Sequence, residues 1–380
     1  MHLVDVCAFY TPHGGGVKTY VEQKLKWGPQ LGARITVLAP GDDHSVTDYG
    51  HGAQLITIPS PRLVVDKNYW YFGDQAALHA ALDRLAPDLA ECSSPWRSPS
   101  WVANWRPDVP KALFMHADPM SAYAYRWFDP LLPRNATDRL FAPYWHHIRT
   151  LSARYDSVIC ASRDLYDRMS ASGVPHCRLE PMGVDDGVFA PDNRDPALRA
   201  SLLAELGLPE SAGLLIGVGR LSAEKRWPLV IEGVRLAAKK RQLGLLLLGG
   251  GRQADKVRAA IGNDPHMRLL EPIRDRAQFA AILASGDALV HGCEAETFGL
   301  AAAEARASGV PVVVPDRGGA AEQADGGGGL TYRSADRGDL ARAVLELGAS
   351  GWPRSSGQAQ TMRGHFERLF AHYRDLIAAH

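Results

Sequence analysis

The 380-residue sequence has little cysteine, no excess of either charge and no long apolar run. No stretch approaches the ~18 apolar residues of a membrane span, and Met1–Tyr10 does not have the layout of a signal peptide. The 42 Lys and Arg balance 42 Asp and Glu, so a global basic field is excluded and no nucleic-acid partner is expected. The five cysteines are Cys7, Cys92, Cys160, Cys177 and Cys293. They are scattered without CxxC spacing, which argues against a disulfide scaffold or a zinc site and favours a reducing cytoplasm as the location of the protein.

Short apolar runs alternate with helical patterns in both halves of the chain. This alternation predicts α/β architecture with doubly wound parallel sheets, and the length predicts two to three domains. We expect two similar α/β domains facing a cleft. We expect strands at Leu3–Ala8, Arg34–Leu38, Gln54–Ile58, Asp88–Cys92, Lys111–Met115, Ser157–Cys160, Leu214–Val218, Leu243–Leu248, Met267–Leu270, Ala288–His291 and Val310–Val314. Helical patterns between them include Gly73–Leu85 and Arg163–Ser172.

The composition places the domain boundary in a polar, proline-containing stretch near residues 190–212. We therefore predict an N-terminal domain at 1–190, a second domain at 191–355, and a terminal helix at 356–380. That helix carries apolar residues at i, i+3, i+4 and i+7 spacing after the break at Trp352–Pro353, and we expect it to pack back on the first domain.

A glycine-rich loop, Thr11–Lys18, follows the first strand and leads into a helix. Such a helix N-terminus offers unpaired N–H groups and a partial positive charge, which suit a phosphate. The alternative is a tight strand-to-helix turn without a ligand. Thr19 stands where a dinucleotide fingerprint needs its third glycine, and no P-loop Gly-Lys-Ser/Thr is present, which disfavours NAD chemistry.

Two cations, Arg220 and Lys225, lie in the turn after the strand at Leu214–Val218. Ligands of open α/β sheets bind at the carboxyl ends of strands, and two cations there suit a diphosphate whose charge grows as it departs. The alternative is a solvated turn. Further on, Glu296 precedes a helix, and Glu304 lies two turns inside that alanine-rich helix, where an unpaired carboxylate would be costly. A hydroxyl-binding role is favoured over a cap and a buried ion pair.

These elements together resemble the retaining family-4 glycosyltransferases, which have the GT-B fold of two Rossmann-like domains. The resemblance covers nearly the whole chain in order, and the Glu296-x7-Glu304 element with both cations is its most specific part. Two positions depart from the family pattern, Met182 where Asn is usual and Arg306 inside the Glu304 helix. The motifs are GGGVKTYV (14–21), LFMHAD (113–118), SVICASR (157–163), PMGVD (181–185), GVGRLSAEKR (217–226), LGGG (248–251), EAETFGLAAAEARASGVPVV (294–313) and PDRGG (315–319).

The resemblance implies a hexosyltransferase that takes a sugar from a nucleotide-diphosphate sugar, a UDP- or GDP-sugar, without a metal or other cofactor. It implies that Glu304 holds the ribose, that Arg220 and Lys225 hold the diphosphate, and that Glu296 contacts the transferred sugar. It also implies His116 beside the reacting sugar carbon. The remaining implied donor contacts are Gly15, Gly16, Gly219, Gly249, Ile273, Phe298, Gly299 and Leu300.

Two aromatic clusters in the first half are candidates for the acceptor: Tyr69 and Trp70 in one, Tyr125 and Arg126 in the other. Aromatic and basic density suits sugar stacking or a peripheral contact with an anionic membrane, although such a helix face is often core. A glycan or lipid-linked acceptor at the inner face of the cytoplasmic membrane is therefore expected. His146 and His147 lack further ligand spacing, so no metal site is expected.

Three alternatives stay open at this stage. The acceptor could be a small soluble molecule such as a cyclitol. The chain could be a non-catalytic nucleotide-sugar-binding protein of the same fold. It could also be an epimerase or hydrolase that needs no acceptor.

Overall fold

The structure is a computed structural model that describes residues 1–12, 14–64, 67–93, 97–129, 131–355, 357 and 359–380. The chain divides into two units. The first contains Met1–Met120, Ala124–Met182 and Met362–His380, and the second contains Ser121–Tyr123 and Gly183–Thr361. Apart from Ser121–Tyr123, the second unit begins at Gly183, whereas the predicted first domain ends at residue 190.

An eight-stranded sheet forms the centre of the first unit. Its strands are β1 (His2–Cys7), β2 (Arg34–Gly41), β3 (Ser45–Gly50), β4 (Ala53–Pro59), β5 (Leu89–Ser93), β6 (Lys111–Phe114), β7 (Ser157–Cys160) and β8 (Cys177–Leu179). They lie in the order β3-β4-β2-β1-β5-β6-β7-β8, and the pairs are parallel except for β3 against β4. The order β2-β1-β5 at the centre reverses the direction of winding, as a doubly wound sheet requires.

Helices connect these strands: α1 (Gly16–Gln30), α2 (Gln75–Leu85), α3 (Arg97–Asn104), α4 (Arg126–Phe128), α5 (Arg134–Leu140), α6 (Ala142–Ser152) and α7 (Arg163–Ala171), with a π-helical segment at Met120–Tyr125. Helix α2 begins two residues after the predicted start at Gly73. The reason is Asp74, whose carboxylate accepts hydrogen bonds from the backbone N–H groups of Ala76 and Ala77 at 2.8 and 3.1 Å.

The second unit contains a six-stranded, all-parallel sheet in the order β11-β10-β9-β12-β13-β14. Its strands are β9 (Gly213–Val218), β10 (Leu243–Leu248), β11 (Met267–Leu270), β12 (Ala288–Val290), β13 (Val312–Pro315) and β14 (Gly329–Tyr332). Its helices are α8 (Pro196–Glu205), α9 (Trp227–Ala238), α10 (Ala254–Ile261), α11 (Arg276–Ser285), α12 (Leu300–Ala307) and α13 (Arg337–Leu347). The predicted pair of parallel-sheet α/β domains is confirmed.

The C-terminal helix (Met362–Ala379) belongs to the first unit. Its apolar stripe is buried there, because Phe366, Leu369, Phe370 and Tyr373 have no exposed surface. The helix completes the first unit although the chain reaches it only after the whole second unit. No helix among the described residues is long and apolar enough to cross a membrane.

Candidate active site

The turn after β9 brings the predicted glycines together in the second unit. Gly219 has a φ of +152°, and a Cβ atom added to Gly249 would lie 1.9 Å from the Gly219 carbonyl oxygen. Any side chain at Gly249 would therefore clash with the neighbouring backbone. This close approach gives the loop after β9 its shape and places the turn that carries Arg220 and Lys225 beyond the strand end.

Lys225 and Glu296 form an ion pair between the loop after β9 and the loop after β12. The two loops meet because β9 and β12 are neighbours in the sheet. The Lys225 ammonium group contacts Glu296 Oε1, and the two side chains are only 13% and 21% exposed. His291 Nε2 lies 3.0 Å from the same carboxylate oxygen.

The pKa shifts of Lys225 and Glu296 show that each group favours the charged form of the other. Burial would raise the pKa of Glu296, but Lys225 and His291 hold it well below its usual range. Burial likewise opposes the charge of Lys225, yet Glu296 raises the Lys225 pKa above its usual value. A buried cation and a buried carboxylate thus stay ionised at neutral pH, ready to exchange partners with a charged or hydroxylated ligand.

Arg220 lies at the rim of this cluster. Its guanidinium is 53% exposed and lies 3.3 Å from Glu224, while its carbonyl oxygen accepts a hydrogen bond of 2.9 Å from Trp227 Nε1. The hydrogen bond from buried Trp227 therefore holds the backbone of Arg220, whereas the Arg220 guanidinium is open to solvent. Its charge is close enough to disfavour the protonated form of Lys225.

Glu304 lies inside α12 and pairs with Arg276 at the start of α11. Arg276 Nη2 donates to Glu304 Oε1 at 3.0 Å, and the carboxylate is only 6% exposed. Burial raises the pKa of Glu304 to about 7, although Arg276 opposes that rise. The helix begins at Leu300 after Gly299, whose φ is +85°. The first N–H groups of such a helix have no partner within it and point toward its N-terminal end, where Phe298 and Gly299 lie.

His116 follows β6 in the first unit. Its imidazole stacks on Phe114, with ring centroids 4.2 Å apart, and its pKa is held well below the usual value by burial and by the nearby Lys24 and His365. The ring is therefore neutral at physiological pH. Gly15 caps α1 and Gly16 is its first residue, with open space around the position of a Gly16 Cβ. His13 in the same loop lies outside the described residues.

Known proteins match the chain along most of its length. The family model "Glycosyltransferase Family 4" matches residues 14–187, and "Glycosyl transferases group 1" matches residues 212–350. The chain belongs to glycosyltransferase family 4. The prediction of an enzyme of the hexosyltransferase class is thereby confirmed.

This glycosyltransferase is similar to mannosyltransferases of Mycobacterium and Corynebacterium. It is 28% identical over 320 residues to the GDP-mannose-dependent alpha-(1-6)-phosphatidylinositol dimannoside mannosyltransferase of Mycobacterium tuberculosis (strain ATCC 25177 / H37Ra), which covers 83% of this chain and 79% of the relative. It is 24% identical over 394 residues to a GDP-mannose-dependent alpha-mannosyltransferase of Corynebacterium glutamicum, covering 100% of this chain and 90% of the relative.

Solved structures agree on the fold. Sucrose-phosphate synthase from Thermosynechococcus elongatus superposes with a TM-score of 0.75 at 18% identity, covering 100% of both chains. Anabaena HepE in complex with UDP gives a TM-score of 0.66 at 16% identity, covering 100% of this chain and 97% of the other. The predicted GT-B fold is confirmed.

The predicted acceptor residues of the glycosyltransferase differ in their surroundings. Trp70 Nε1 donates to Asp42 at 2.8 Å beneath the Arg62 guanidinium, and neighbouring Tyr69 is partly buried. Tyr125 is only 2% exposed and packs in the core, so its side chain is not open to an acceptor. Arg126, the next residue, is partly exposed.

Several residues near the two glutamates were not predicted as site residues. They are His291, Arg276, and the pair Arg226–Glu294, whose side chains also contact each other beside Lys225 and Glu296. For Arg226 and Glu294 the sequence signal is position, since they lie one and two residues from the predicted site residues Lys225 and Glu296. Ile273 lies in the loop between β11 and α11, as its sequence position indicates, and is partly buried.

One group of side chains has the chemistry of metal ligands. A nitrogen of His291, the Cys293 sulfur and a Glu296 oxygen all lie within 4.8 Å of one another. However, the Lys225 ammonium contacts the same carboxylate, and burial raises the pKa of the Cys293 thiol to about 12. A divalent cation would compete with a fixed positive charge for one carboxylate and would need a thiolate that burial disfavours.

Proposed function

We propose that this glycosyltransferase transfers mannose from GDP-mannose to a glycolipid acceptor, with retention of the anomeric configuration. The observation that carries the donor assignment is the likeness, over 83% and 100% of the chain, to two enzymes named GDP-mannose-dependent. The buried Lys225–Glu296 pair supports the assigned chemistry, because it offers a cation and a carboxylate side by side at a strand end.

The donor would replace one partner in each of two ion pairs, Lys225–Glu296 and Arg276–Glu304. Its diphosphate would accept hydrogen bonds from Lys225 and Arg220, leaving Glu296 to accept from hydroxyl groups of the mannose. The ribose hydroxyl groups would donate to Glu304, which is otherwise paired with Arg276. Each exchange replaces one charged hydrogen bond by another, so the buried groups stay satisfied.

Bond cleavage then develops negative charge on the departing GDP. Lys225 and the first N–H groups of α12 would stabilise that charge, with Gly15 and Gly16 as further predicted contacts. In the retaining pathway that the family resemblance implies, the acceptor hydroxyl attacks the same face from which GDP leaves, and a phosphate oxygen takes its proton. His116, neutral because of its burial, would bind a sugar hydroxyl rather than act as a cation. No metal is required for these steps.

Lys225→Met and Glu296→Gln test this assignment. Lys225→Met should lower kcat with GDP-mannose by about 10²–10³-fold, the usual loss when a group that stabilises developing charge is removed. Glu296→Gln should also lower kcat, because it removes the charged acceptor for the mannose hydroxyl groups. Arg337→Met is the matched control, because it removes a cation from the exposed pair with Glu232 in the same unit. Unchanged kcat in both site variants would overturn the mechanism. The anomeric proton of the product, measured by NMR, should report an α-mannoside, and a β product would exclude retention.

A thermal-shift panel of UDP, GDP, ADP and their sugars tests the donor independently. A ligand present at 100 times its dissociation constant adds about 2.7 kcal/mol to the free energy of unfolding. GDP-mannose should give the largest shift. Stronger stabilisation by UDP-glucose would contradict the donor assignment. Release of free mannose at the same rate with and without acceptor would indicate a hydrolase.

An exposed apolar surface supports a lipid-linked acceptor at a membrane. Trp127, Leu131 and Leu140 are 56%, 79% and 57% exposed, and Leu132 is 37% exposed. The rings of Phe128 and Phe141 lie 5.9 Å apart, so the residue that follows Trp127 contacts the residue that follows Leu140. Exposed Arg139 is next to Leu140. We propose that Trp127, Leu131, Leu132 and Leu140 insert among anionic headgroups, where each nearby Arg contributes about 1 kcal/mol.

Vesicle flotation tests the membrane contact. The protein should float with phosphatidylcholine vesicles that contain phosphatidylglycerol, less so at high salt, and Trp127→Ser and Leu131→Ser should reduce the bound fraction. Leu236→Ser is the matched control, since Leu236 is an exposed leucine of the second unit. Absence of flotation at low salt would contradict this part of the proposal.

A small soluble acceptor is the second candidate. A D-inositol 3-phosphate glycosyltransferase of Stackebrandtia nassauensis is 34% identical over 183 residues, although this match covers only 44% of the chain. Parallel assays with phosphatidylinositol mannoside in vesicles and with D-inositol 3-phosphate in solution separate the two. Faster transfer to the soluble acceptor would favour this candidate.

A further inference from the structure

The His116 imidazole lies against two aromatic rings of the first unit. It stacks on Phe114 at a centroid distance of 4.2 Å and an interplanar angle of 19°. It also meets the edge of Tyr20 on α1, with centroids 4.7 Å apart and the rings inclined by 65°. The orientation of His116 therefore depends on where the Tyr20 ring is held.

Tyr20 is in turn held by His365 on the C-terminal helix. The Tyr20 hydroxyl oxygen lies 3.1 Å from His365 Nε2, and neither side chain is exposed to solvent. His365 Nδ1 lies 3.0 Å from the carbonyl oxygen of Pro181. A carbonyl can only accept, so Nδ1 carries the proton of the neutral ring, and Nε2 accepts from the Tyr20 hydroxyl.

The charge state of His365 is consistent with a hydrogen bond donated by the Tyr20 hydroxyl to His365 Nε2. Burial lowers the His365 pKa to about 3, so its ring is neutral throughout the physiological range. Two other residues of the same helix also donate hydrogen bonds to carboxylates of the first unit. Arg368 Nε donates to buried Glu180 at 2.8 Å, and the Tyr373 hydroxyl donates to buried Glu91 at 2.9 Å.

We propose that Tyr20 and His365 are positioning residues for His116, so that the C-terminal helix takes part in sugar transfer without touching the sugar. The hydrogen bond between them holds the Tyr20 ring, and the ring holds the imidazole in the orientation needed for a sugar hydroxyl. This inference rests on the proposed function, because it concerns the reaction in which His116 contacts the transferred sugar. It also assigns a catalytic consequence to a helix that follows both sheets in sequence.

His365→Leu and Tyr20→Phe test the proposal. Small displacements of a reacting group can cost up to about 10²-fold in rate, so we expect kcat to fall about tenfold in His365→Leu and about threefold in Tyr20→Phe. The KM for GDP-mannose should change less than kcat, since Lys225, Arg220 and Glu304, the side chains assigned to its diphosphate and ribose, belong to the second unit. His365→Gln offers an amide oxygen as a substitute acceptor and should recover most of the lost kcat.

Two variants of the same helix serve as matched controls. His372→Leu removes a histidine that lies 2.9 Å from the hydroxyl of Ser157, and Tyr373→Phe removes a buried hydroxyl that donates to Glu91. Both should lower the melting temperature and leave kcat within about twofold, because neither side chain is in ring contact with His116.

The outcomes separate this inference from the proposed function. If His116→Ala loses activity but His365→Leu and Tyr20→Phe keep the wild-type kcat, the positioning role is wrong and the proposed function stands. A loss of kcat in His372→Leu equal to that in His365→Leu would also overturn the positioning role, since the effect would then be general to the helix. If His116→Ala keeps full activity, the assigned role of His116 fails together with this inference.

Discussion

Replacement of Glu304 by Gln should make the protein more stable at alkaline pH while weakening donor binding. The carboxylate is 6% exposed, and its pKa is raised to about 7 from a usual value of 4.5, mainly by burial. The folded chain therefore holds this proton more tightly than the unfolded chain does. Between these two pKa values stability falls as pH rises, because the unfolded chain releases the proton first.

The magnitude follows from the difference between the two pKa values. Each pKa unit corresponds to about 1.36 kcal/mol, so the ionised carboxylate costs about 3 kcal/mol at pH 8 and about 1 kcal/mol at pH 5. Glutamine has nearly the shape of the protonated acid and does not ionise. Glu304→Gln should therefore gain little stability at pH 5 and up to about 3 kcal/mol at pH 8.

Calorimetry at pH 5, 6, 7 and 8 measures this gain. For a unit of this size, about 1 kcal/mol moves the melting temperature by roughly 2–4 °C, so the difference at pH 8 should be several degrees. The same variant should bind GDP-mannose about tenfold or more weakly, because a charged acceptor for the ribose hydroxyls is lost. Such a gain in stability with a loss of affinity is expected of a residue retained for function.

Glu296→Gln is a control of opposite sign. Lys225 and His291 hold the pKa of Glu296 below its usual value, so the charged form stabilises the fold above the usual pKa, and this stability is lost only as pH falls through the lowered pKa. Glu296→Gln should accordingly lose stability at all four pH values. A Glu304→Gln variant that is no more stable than the wild type at pH 8, or whose difference does not change with pH, would refute the reasoning.

Two further substitutions test the scaffold of each unit. Lys24→Met should lower the free energy of unfolding by about 3–5 kcal/mol in chemical denaturation, because Asp5 and Glu91, at 2.7 and 2.5 Å from the ammonium, would stay buried without their cation. A loss below about 1 kcal/mol would contradict this account. Gly249→Ala should lower the melting temperature and weaken donor binding, because its Cβ would lie 1.9 Å from the Gly219 carbonyl oxygen. A wild-type melting temperature together with wild-type donor affinity would show that the loop adjusts to the added methyl group.

The strands that could be predicted from sequence are those with continuous apolar runs. β10 and β11 have the predicted bounds, and β7 does as well, because each is a short apolar segment between turns. Three strands were not predicted: β3 and β8, which are edge strands with little buried surface, and β14, which is short and begins at a glycine. An edge strand needs no apolar pattern on both faces, so its sequence carries little signal.

The partners of the site residues could not be predicted in the same way. Lys225 and Glu296 were both predicted as site residues, but the ion pair between them was not, because they are far apart in the chain. Arg276 was not predicted at all, since a single arginine at a helix start resembles any solvated one. The ion pair with Glu304 joins the start of α11 to α12, two helices of the same unit.

The sequence by itself determined the two parallel-sheet units, the family and the glutamates and cations of the candidate donor site. These are carried by local patterns: apolar strands, glycine turns, and charged residues at strand ends and in an alanine-rich helix. Only the tertiary structure decided which charged side chains form ion pairs. It also decided that His116 packs against Phe114 and Tyr20, and that His365 of the last helix hydrogen-bonds to Tyr20. Such contacts depend on strand order and long-range packing, which join residues as many as 345 positions apart and leave no mark in the neighbouring sequence.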